Sequence, residues 1–336
     1  MKKIILTLLL VVSYCHIAVS DITDSPKYSA LVIDQSSKKI LYQKDARVKR
    51  YPASLTKVMT LYLMFEALEK GKLHMNQSLH VSAHAASQPP SKLNLRGGET
   101  IKVKDAIDAL VVKSANDVAV AVAENLAGTE KNFAKRMTAR AKQLGLKSTN
   151  FTNASGLPDS NQYTNAIDMV KLAILVQKNF PQYFHNFNKN NFHFRGKTIT
   201  GHNKVTENYP TATGLKTGYI KASGFNLLTT TSSHHGELVG VVFGADNSQQ
   251  RNDHMVALLD GAYNKLQQLK KQNILTNSDK NKIEIIDTGV GIKKENLDKL
   301  FIDFTKLDEH LELNEIGTGL GLSICKKIIE QMGGSV

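Results

Sequence analysis

The chain of 336 residues is strongly basic, with a formal net charge of +13, and it contains two cysteines. Such a charge suits an acidic polymer or an anionic membrane surface as a partner. Because no groove-reading motif and no repeat of basic and aromatic residues accompanies the charge, the sequence argues against a nucleic-acid-binding protein. Residues 282–336 carry 7 Lys and Arg against 10 Asp and Glu, so the excess positive charge belongs to the rest of the chain.

The first 20 residues are typical of a signal peptide. A basic start is followed by an apolar stretch over residues 4–12, which is too short to span a bilayer, and by small residues at 18–20 that suit a cleavage site. We therefore expect an exported protein that is periplasmic or associated with the cell envelope. Removal of this segment, with Cys15, leaves Cys325 alone and excludes an intramolecular disulfide.

Apolar periodicity predicts strands near both ends of the main domain and helices between them. Strands are expected over residues 28–33, 40–43, 225–231 and 237–243, and helices over residues 52–71, 103–126, 130–144, 165–179 and 254–269. This order predicts an α/β fold of the α+β type, with an antiparallel sheet flanked by helices and an inserted helical subdomain. A cleft between the sheet and the subdomain is the expected place for an active site.

Ser54 and Lys57 form a candidate nucleophile and base at the start of the first predicted helix. Three residues make nearly one turn, so the two side chains share a face, and the amine can take the hydroxyl proton. Burial, together with a second cation from Lys216, would lower the pKa of Lys57 and keep it neutral. Ser36 and Lys39 show the same spacing, but they fall in a predicted hairpin turn and are interpreted as solvated polar residues.

Two further strings supply complementary groups. In Ser114-Ala115-Asn116, the hydroxyl can relay a proton to a leaving amine, and the amide of Asn116 can bind a substrate backbone. In Lys216-Thr217-Gly218, the lysine and the threonine can hold a terminal carboxylate, and the glycine lets an edge strand lie close to the substrate.

Residues 183–194 and the pair His234 and His235 combine histidines with aromatic side chains. Their spacing matches no metal-binding motif, so they are interpreted as residues of surface hairpins. We expect neither a metal nor a cofactor.

In this order and spacing, the three strings resemble those of serine D-alanyl-D-alanine carboxypeptidases, the low-molecular-weight penicillin-binding proteins. The similarity extends over residues 28–269 and includes the stretches PASLTKVMT, VKSAND, GLKSTNFTNASGLPD and GLKTGY. It implies a β-lactamase/transpeptidase-like fold. One departure is Ile220, where the family usually has threonine. Its side chain is expected either to face away from the chemistry or to narrow the pocket, so substrate preference is the property that this departure affects.

The resemblance also implies a role for each residue. Ser54 is the acylated nucleophile, Lys57 its base, and Ser114 with Asn116 the second element of the site. Lys216 and Thr217 form the carboxylate clamp beside Gly218, and the backbone N–H groups of Ser54 and Tyr219 form the oxyanion hole. The implied reaction removes the terminal D-Ala of a peptidoglycan stem peptide ending in D-Ala-D-Ala, through an acyl-serine that β-lactams also form.

A β-lactamase would share these motifs, and it remains an alternative. It needs rapid deacylation, which class A enzymes achieve with a glutamate acting through water. The glutamates between the second and third strings, Glu124, Glu130 and Glu207, do not lie in a recognisable loop of that kind.

The C-terminal residues resemble the ATP-binding domain of sensor histidine kinases. A strand at 283–286 runs into the glycine box at Asp287, Phe301 and Phe304 follow, and a second glycine box at 317–321 begins an apolar helix. The asparagine-bearing helix that would hold magnesium, the phosphoacceptor histidine motif and the final strands are not recognised. We therefore expect a partial α/β kinase ATPase fragment that binds no ATP, and a signalling protein built on this fragment is a third alternative.

The expected organisation is therefore a signal peptide (1–20), a carboxypeptidase domain (21–272), a linker (273–281) and the ATPase fragment (282–336). Because the main domain is basic, we also expect peripheral contact between this domain and the membrane surface.

Overall fold

The computed structural model describes residues 22–276, 325–327 and 329–330. The chain divides into two compact units, Met1–Leu275 and Thr276–Val336. In the second unit, residues 325–327 and 329–330 are helical, within the helix expected after the second glycine box, and Cys325 is exposed. The predicted signal peptide and both glycine boxes lie outside the described residues.

A five-stranded antiparallel sheet forms the centre of the first unit, with the strand order β2-β1-β9-β8-β7. Two small hairpins, β3 with β4 and β5 with β6, lie outside it. The strands of the described part are β1 (Ser29–Asp34), β2 (Ile40–Lys44), β3 (Ser78–His80), β4 (Thr100–Lys102), β5 (Asn191–Phe194), β6 (Lys197–Thr200), β7 (Ala212–Ile220), β8 (Gly224–Ser233) and β9 (Gly236–Ala245).

Helices cover both faces of this sheet and build the subdomain beside it. They are α1 (Thr56–Glu69), α2 (Ala83–Ala86), α3 (Val103–Asp108), α4 (Asn116–Ala127), α5 (Glu130–Gln143), α6 (Ala166–Asn179), α7 (Pro181–Phe184), α8 (Lys204–Asn208) and α9 (Ser248–Thr276). The last helix continues into the first residues of the predicted linker. Within the described residues, no helix has the length and apolar character needed to cross a membrane.

The two faces of the sheet follow from the two-residue period of a strand. Ala30 and Val32 of β1 belong to the core that α9 covers, whereas Leu31 and Ile33 belong to the larger core with α1 and α6. The sheet is therefore buried on both sides. The hairpins predicted from alternation at the two ends of the domain are confirmed, and His234 with His235 forms the turn between β8 and β9.

Local signals set the ends of two predicted helices, which are confirmed. α5 ends before Gly145, whose φ of +75° is a backbone conformation that side chains with a Cβ rarely adopt. α6 is preceded by Asn165, whose side chain accepts a hydrogen bond from the backbone N–H of Asp168.

The single helix predicted over residues 103–126 is wrong. The chain forms α3, then a π-helical turn over Ala109–Lys113, then a break before α4. The break is at Ser114, which takes a left-handed conformation with φ 59° and ψ 37°. Because apolar residues continue at helical spacing on both sides of Ser114, periodicity alone could not reveal the interruption.

The prediction of a surface hairpin over residues 183–194 is also wrong for its aromatic residues. Phe184, Phe187 and Phe192 are buried, and Phe187 lies edge-on to Phe65 of α1 with ring centroids 6.2 Å apart. These rings cover apolar surface of the helical subdomain, which explains their concentration in one segment.

Candidate active site

The three strings meet in a cleft of about 740 Å³ between the free edge of β7 and the helical subdomain. Of the eight predicted site residues, six line the cleft directly: Ser54, Ser114, Asn116, Thr217, Gly218 and Tyr219. The other two, Lys57 and Lys216, are fully buried beside it. The fold therefore brings together residues that are far apart in the sequence.

Ser54 lies in a short 3₁₀ turn, Ala53–Leu55, at the entrance of α1. The residue before it, Ala53, has a φ of +48°, a strained conformation for a residue with a Cβ. Gly156 packs against this turn so tightly that a Cβ there would lie 1.8 Å from the carbonyl oxygen of Ala53. Only glycine at that position lets the turn hold Ser54 in place.

Lys57 Nζ lies within hydrogen-bonding distance of three oxygen atoms. Its Nζ lies 3.0 Å from Ser54 Oγ, 2.7 Å from Asn116 Oδ1 and 2.6 Å from the carbonyl oxygen of Ser155. The amide oxygen and the carbonyl can only accept, so they fix two of the N–H bonds. In a neutral amine, the remaining position carries the lone pair, and it faces the hydroxyl of Ser54.

Electrostatics favours that neutral state. Burial is the main cause that lowers the pKa of Lys57 well below its usual range, and the Lys216 ammonium acts in the same direction. Asp117 and Glu130 oppose the shift. Asp117 is itself engaged as an acceptor by the backbone N–H groups of Leu93 and Leu95.

The second string is positioned by the broken helix. Ser114 turns toward the cleft at the left-handed break, and Asn116 begins α4. The Asn116 side chain donates from Nδ2 to the carbonyl oxygen of Pro89 at 2.9 Å, while its Oδ1 accepts from Lys57. The amide predicted to bind substrate is therefore largely engaged within the protein, which leaves one N–H for a ligand.

The third string lies on β7, which among the described strands pairs with β8 alone and so presents a free edge to the cleft. At Gly218, a Cβ would lie 3.0 Å from the backbone nitrogen of Ser54 and 3.1 Å from the carbonyl oxygen of Pro52. The glycine allows the strand to approach the 3₁₀ turn. Tyr219, the next residue and the predicted second donor of the oxyanion hole, follows this point of approach and lines the cleft.

Arg251 is a cation that the sequence analysis did not identify. It lies near the start of α9, lines the cleft and is 3% exposed, and its Nε and Nη2 both donate to Asn252 Oδ1. Burial lowers the pKa of Arg251 to about 10, and burial together with Arg251 lowers the pKa of Lys216 to about 7. The signal for Arg251 in the sequence was its position, three residues after the start of the helix that follows the last strand.

The end of the cleft beside Lys216 and Arg251 thus holds two buried cations, and no described Asp or Glu pairs with either of them. Arg251 lines the cleft, and the described residues of the cleft lining include no Asp or Glu. An anionic group of a ligand would satisfy this end, because it would relieve the repulsion between Lys216 and Arg251. The arrangement suits nucleophilic attack on a carbonyl near a free carboxylate.

Comparison with known proteins gives two family matches. A model described as D-alanyl-D-alanine carboxypeptidase matches residues 19–247. A second, described as Histidine kinase-, DNA gyrase B-, and HSP90-like ATPase, matches residues 262–336 and so begins within α9.

Curated relatives include the D-alanyl-D-alanine carboxypeptidase DacF of Bacillus subtilis, which is 34% identical over 242 residues, or 70% of this chain and 61% of that protein. DacA of Haemophilus influenzae is 32% identical and is covered to the same 61%. The chain therefore spans about 61% of the length of these relatives.

Solved structures share the fold. Penicillin-binding protein 5 from Haemophilus influenzae matches with a TM-score of 0.66 and 30% identity over 69% of each chain. The carboxypeptidase DacD from Francisella tularensis matches with a TM-score of 0.67 and 25% identity, over 71% of this chain and 70% of that one. Penicillin-binding protein D2 from Listeria monocytogenes, in its cefotaxime-bound form, matches with a TM-score of 0.64 and 25% identity, over 70% and 96%. The predicted fold class is confirmed.

Proposed function

Since the chain belongs to the D-alanyl-D-alanine carboxypeptidase family, we propose that it is a serine-type enzyme that removes the terminal D-Ala from peptidoglycan stem pentapeptides. The observation that carries the proposal is the approach of Lys57 Nζ to within 3.0 Å of Ser54 Oγ, in a cleft whose far end is cationic. This pair supplies a nucleophile and a base.

In the proposed reaction, Ser54 Oγ attacks the carbonyl of the penultimate D-Ala while Lys57 takes the hydroxyl proton. The backbone N–H groups of Ser54 and Tyr219 stabilise the oxyanion. Collapse breaks the C–N bond, and Ser114 relays the proton from Lys57 to the leaving amine of the last D-Ala. Water then attacks the acyl-serine while Lys57 takes its proton. The bond between the acyl carbon and Ser54 Oγ breaks, and Lys57 returns the proton to Ser54 Oγ. Attack on a β-lactam carbonyl would follow the same course and leave the opened ring on Ser54.

The terminal carboxylate of the substrate is assigned to the cationic end of the cleft. Lys216 and Arg251 supply the charge, and Thr217 supplies a hydroxyl on the face of β7 that lines the cleft. This clamp would select peptides with a free C-terminus and hold the scissile carbonyl over Ser54.

A peptide ending in D-Ala-D-Ala amide is expected to be a poor substrate, with kcat/KM about 10- to 100-fold below that of the acid, because it lacks charge-assisted hydrogen bonds to the clamp. In Lys216→Ala, kcat/KM should fall for the acid but not for the amide, so most of this difference should disappear. Steady-state hydrolysis of the two peptides measures the difference. Lys135→Ala, which removes an exposed lysine of α5, is the matched control. Equal hydrolysis of acid and amide by the wild type would refute the clamp.

The pH dependence of kcat/KM is expected to be bell-shaped. Activity rises as Lys57 loses its proton, and it falls above about pH 7, because the clamp needs the Lys216 ammonium and the pKa of Lys216 is about 7. Bound carboxylate favours the charged form, so the alkaline limb of kcat should lie at higher pH. Rate profiles for the wild type and Lys216→Ala provide the test. An alkaline limb that is unchanged in the variant would contradict the assignment.

A β-lactamase that deacylates as class A enzymes do requires a carboxylate that activates water. Glu130 Oε1 accepts from the backbone N–H of Ala154, Glu124 accepts from Ser82, and Glu207 pairs with Lys204, and none of the three glutamates lines the cleft. We therefore expect a penicillin acyl-enzyme that persists over many minutes. Rapid turnover of penicillin would favour the β-lactamase instead.

The proposed substrate lies in the cell wall, so the proposal includes export to the periplasm or cell envelope through residues 1–20. Peripheral contact between the basic domain and the membrane surface is part of the same proposal.

For the C-terminal part, we propose that residues 282–336 bind no nucleotide and contribute nothing to catalysis. Truncation after Gln272 should leave kcat/KM unchanged, since Leu266 and Leu269 of α9 still pack on the sheet. Truncation after Asp260 removes the buried Tyr263 and Leu266 and should destabilise the domain in thermal unfolding, by roughly 1.5–3 kcal/mol per side chain. Magnesium-dependent ATP binding by the full chain, lost in Asp287→Asn, would overturn the proposal.

A further inference from the structure

The cleft continues past the scissile position toward a second positive group. Along β7, the clamp lies at Lys216 and Thr217, and Gly218 is level with Ser54, where attack occurs. The acyl part of a bound peptide must therefore extend past Tyr219 toward Lys221. Lys221 lies in the turn that follows β7, two residues after Tyr219, and it lines the same cleft.

The walls of this acyl half are apolar. The Tyr219 ring is 53% exposed and packs on Phe225 with ring centroids 4.2 Å apart. Leu157 and Pro158 line the cleft as well. Such walls suit the aliphatic part of an extended peptide, with a charged group placed at the end where Lys221 begins.

Lys221 is the lining lysine whose charge is not balanced. Lys204 is paired with Glu207 at 2.6 Å, whereas the Lys221 ammonium makes no hydrogen bond or ion pair with any described residue. No carboxylate lines the cleft to compensate it. Lys27 adds a further positive group nearby, since its Nζ donates to the carbonyl oxygen of Lys221 at 2.9 Å.

The backbone that carries Lys221 is fixed. Ser223 is buried, and its Oγ accepts from the N–H of Ile220 at 3.3 Å and donates to the carbonyl oxygen of Gly224 at 2.8 Å. The backbone N–H of Ser223 also donates to the carbonyl oxygen of Ile220. The turn that carries the Lys221 side chain is therefore held in a defined backbone conformation just after the end of β7.

We propose that Lys221 is a specificity-determining residue that selects stem peptides bearing a second carboxylate on the acyl side of the scissile bond. The preferred substrate has a free carboxylate, rather than an amide, at the end of the side chain that precedes D-Ala-D-Ala. This selection rests on the carboxypeptidase function proposed above.

The test uses two synthetic peptides that both end in free D-Ala-D-Ala and differ only in that side-chain group, carboxylate or primary amide. The wild type should prefer the carboxylate by about two- to fivefold in kcat/KM, the range of an exposed ion pair, mainly through KM. Lys221→Gln should abolish the preference, Lys221→Glu should invert it, and added salt should weaken it. Lys204→Gln, which removes a paired lysine of the same cleft, should retain it.

The outcomes separate the two proposals. Hydrolysis of both peptides at equal rates by the wild type would overturn the role of Lys221 and leave the carboxypeptidase function standing. Loss of the preference in Lys204→Gln to the same extent as in Lys221→Gln would also overturn it, because the effect would then come from net charge. Failure to hydrolyse either peptide, by a protein that still unfolds cooperatively, would refute the function itself.

Discussion

Ser54→Ala is expected to carry no covalent label after incubation with a fluorescent penicillin and to release no D-Ala from a D-Ala-D-Ala peptide. Among the described residues, the variant removes the one hydroxyl that forms a hydrogen bond with the Lys57 amine, whose Nζ lies 3.0 Å from Ser54 Oγ. Loss of the nucleophile in serine hydrolases costs on the order of 10⁶ in kcat. Mass spectrometry of the digested wild type should place the opened β-lactam on the peptide that contains Ser54.

A matched control for this variant is Ser36→Ala, which changes another serine that precedes a lysine by three residues. Ser36 lies in the turn after β1 and is exposed, so its loss should change neither labelling nor hydrolysis. The thermal unfolding midpoint of Ser54→Ala should remain close to that of the wild type, because only one side-chain hydrogen bond is lost. Label retained in Ser54→Ala, or found on Ser114, would contradict the assignment.

Lys57→Met is expected to slow acylation by penicillin by about 10² to 10⁴, the usual cost of removing a positioned base. Methionine keeps most of the buried volume, so the cavity that alanine would leave is avoided. Stopped-flow measurement of the second-order acylation rate gives the effect directly. Lys57→Ala should show a loss of the same order, together with lower stability.

Stability must be measured beside the rate for both variants. Removal of the amine leaves Asn116 Oδ1 and the Ser155 carbonyl without their donor, and each orphaned buried acceptor costs about 1–3 kcal/mol. Labelling at a temperature well below the unfolding transition separates lost chemistry from lost fold. Lys39→Met, at the corresponding exposed pair, is the control. Acylation of folded Lys57→Met at nearly the wild-type rate would require another base.

Several features of the site depend on local sequence and were therefore predictable. Ser54 and Lys57 share a helical face because three residues make nearly one turn, and that relation holds in the structure. Alternation predicted the hairpins, while Gly145 and Asn165 marked helix ends, because strand pleat and helix capping act over a few residues. The order of the three strings indicates the family from the sequence alone.

The remaining features depend on contacts between distant segments. Asn116 and Ser155 hold Lys57 from positions 59 and 98 residues away, and the sequence gives no distance for such pairs. Arg251 shares the cationic end of the cleft with Lys216 because α9 starts beside β7, and the pKa of Lys216 is lowered by burial that exists only after packing.

The wrong predictions have the same origin. Periodicity reports which side chains prefer to be buried, but it does not report where the backbone leaves the helical region or which surface covers an aromatic cluster. Ser114 adopts its left-handed conformation within an otherwise helical pattern, and Phe187 is buried by a helix more than a hundred residues earlier in the chain. By itself, the sequence determined the chemical groups and their local spacing. Only the tertiary structure decided which of them meet and how much water is removed from around them, because both depend on long-range packing.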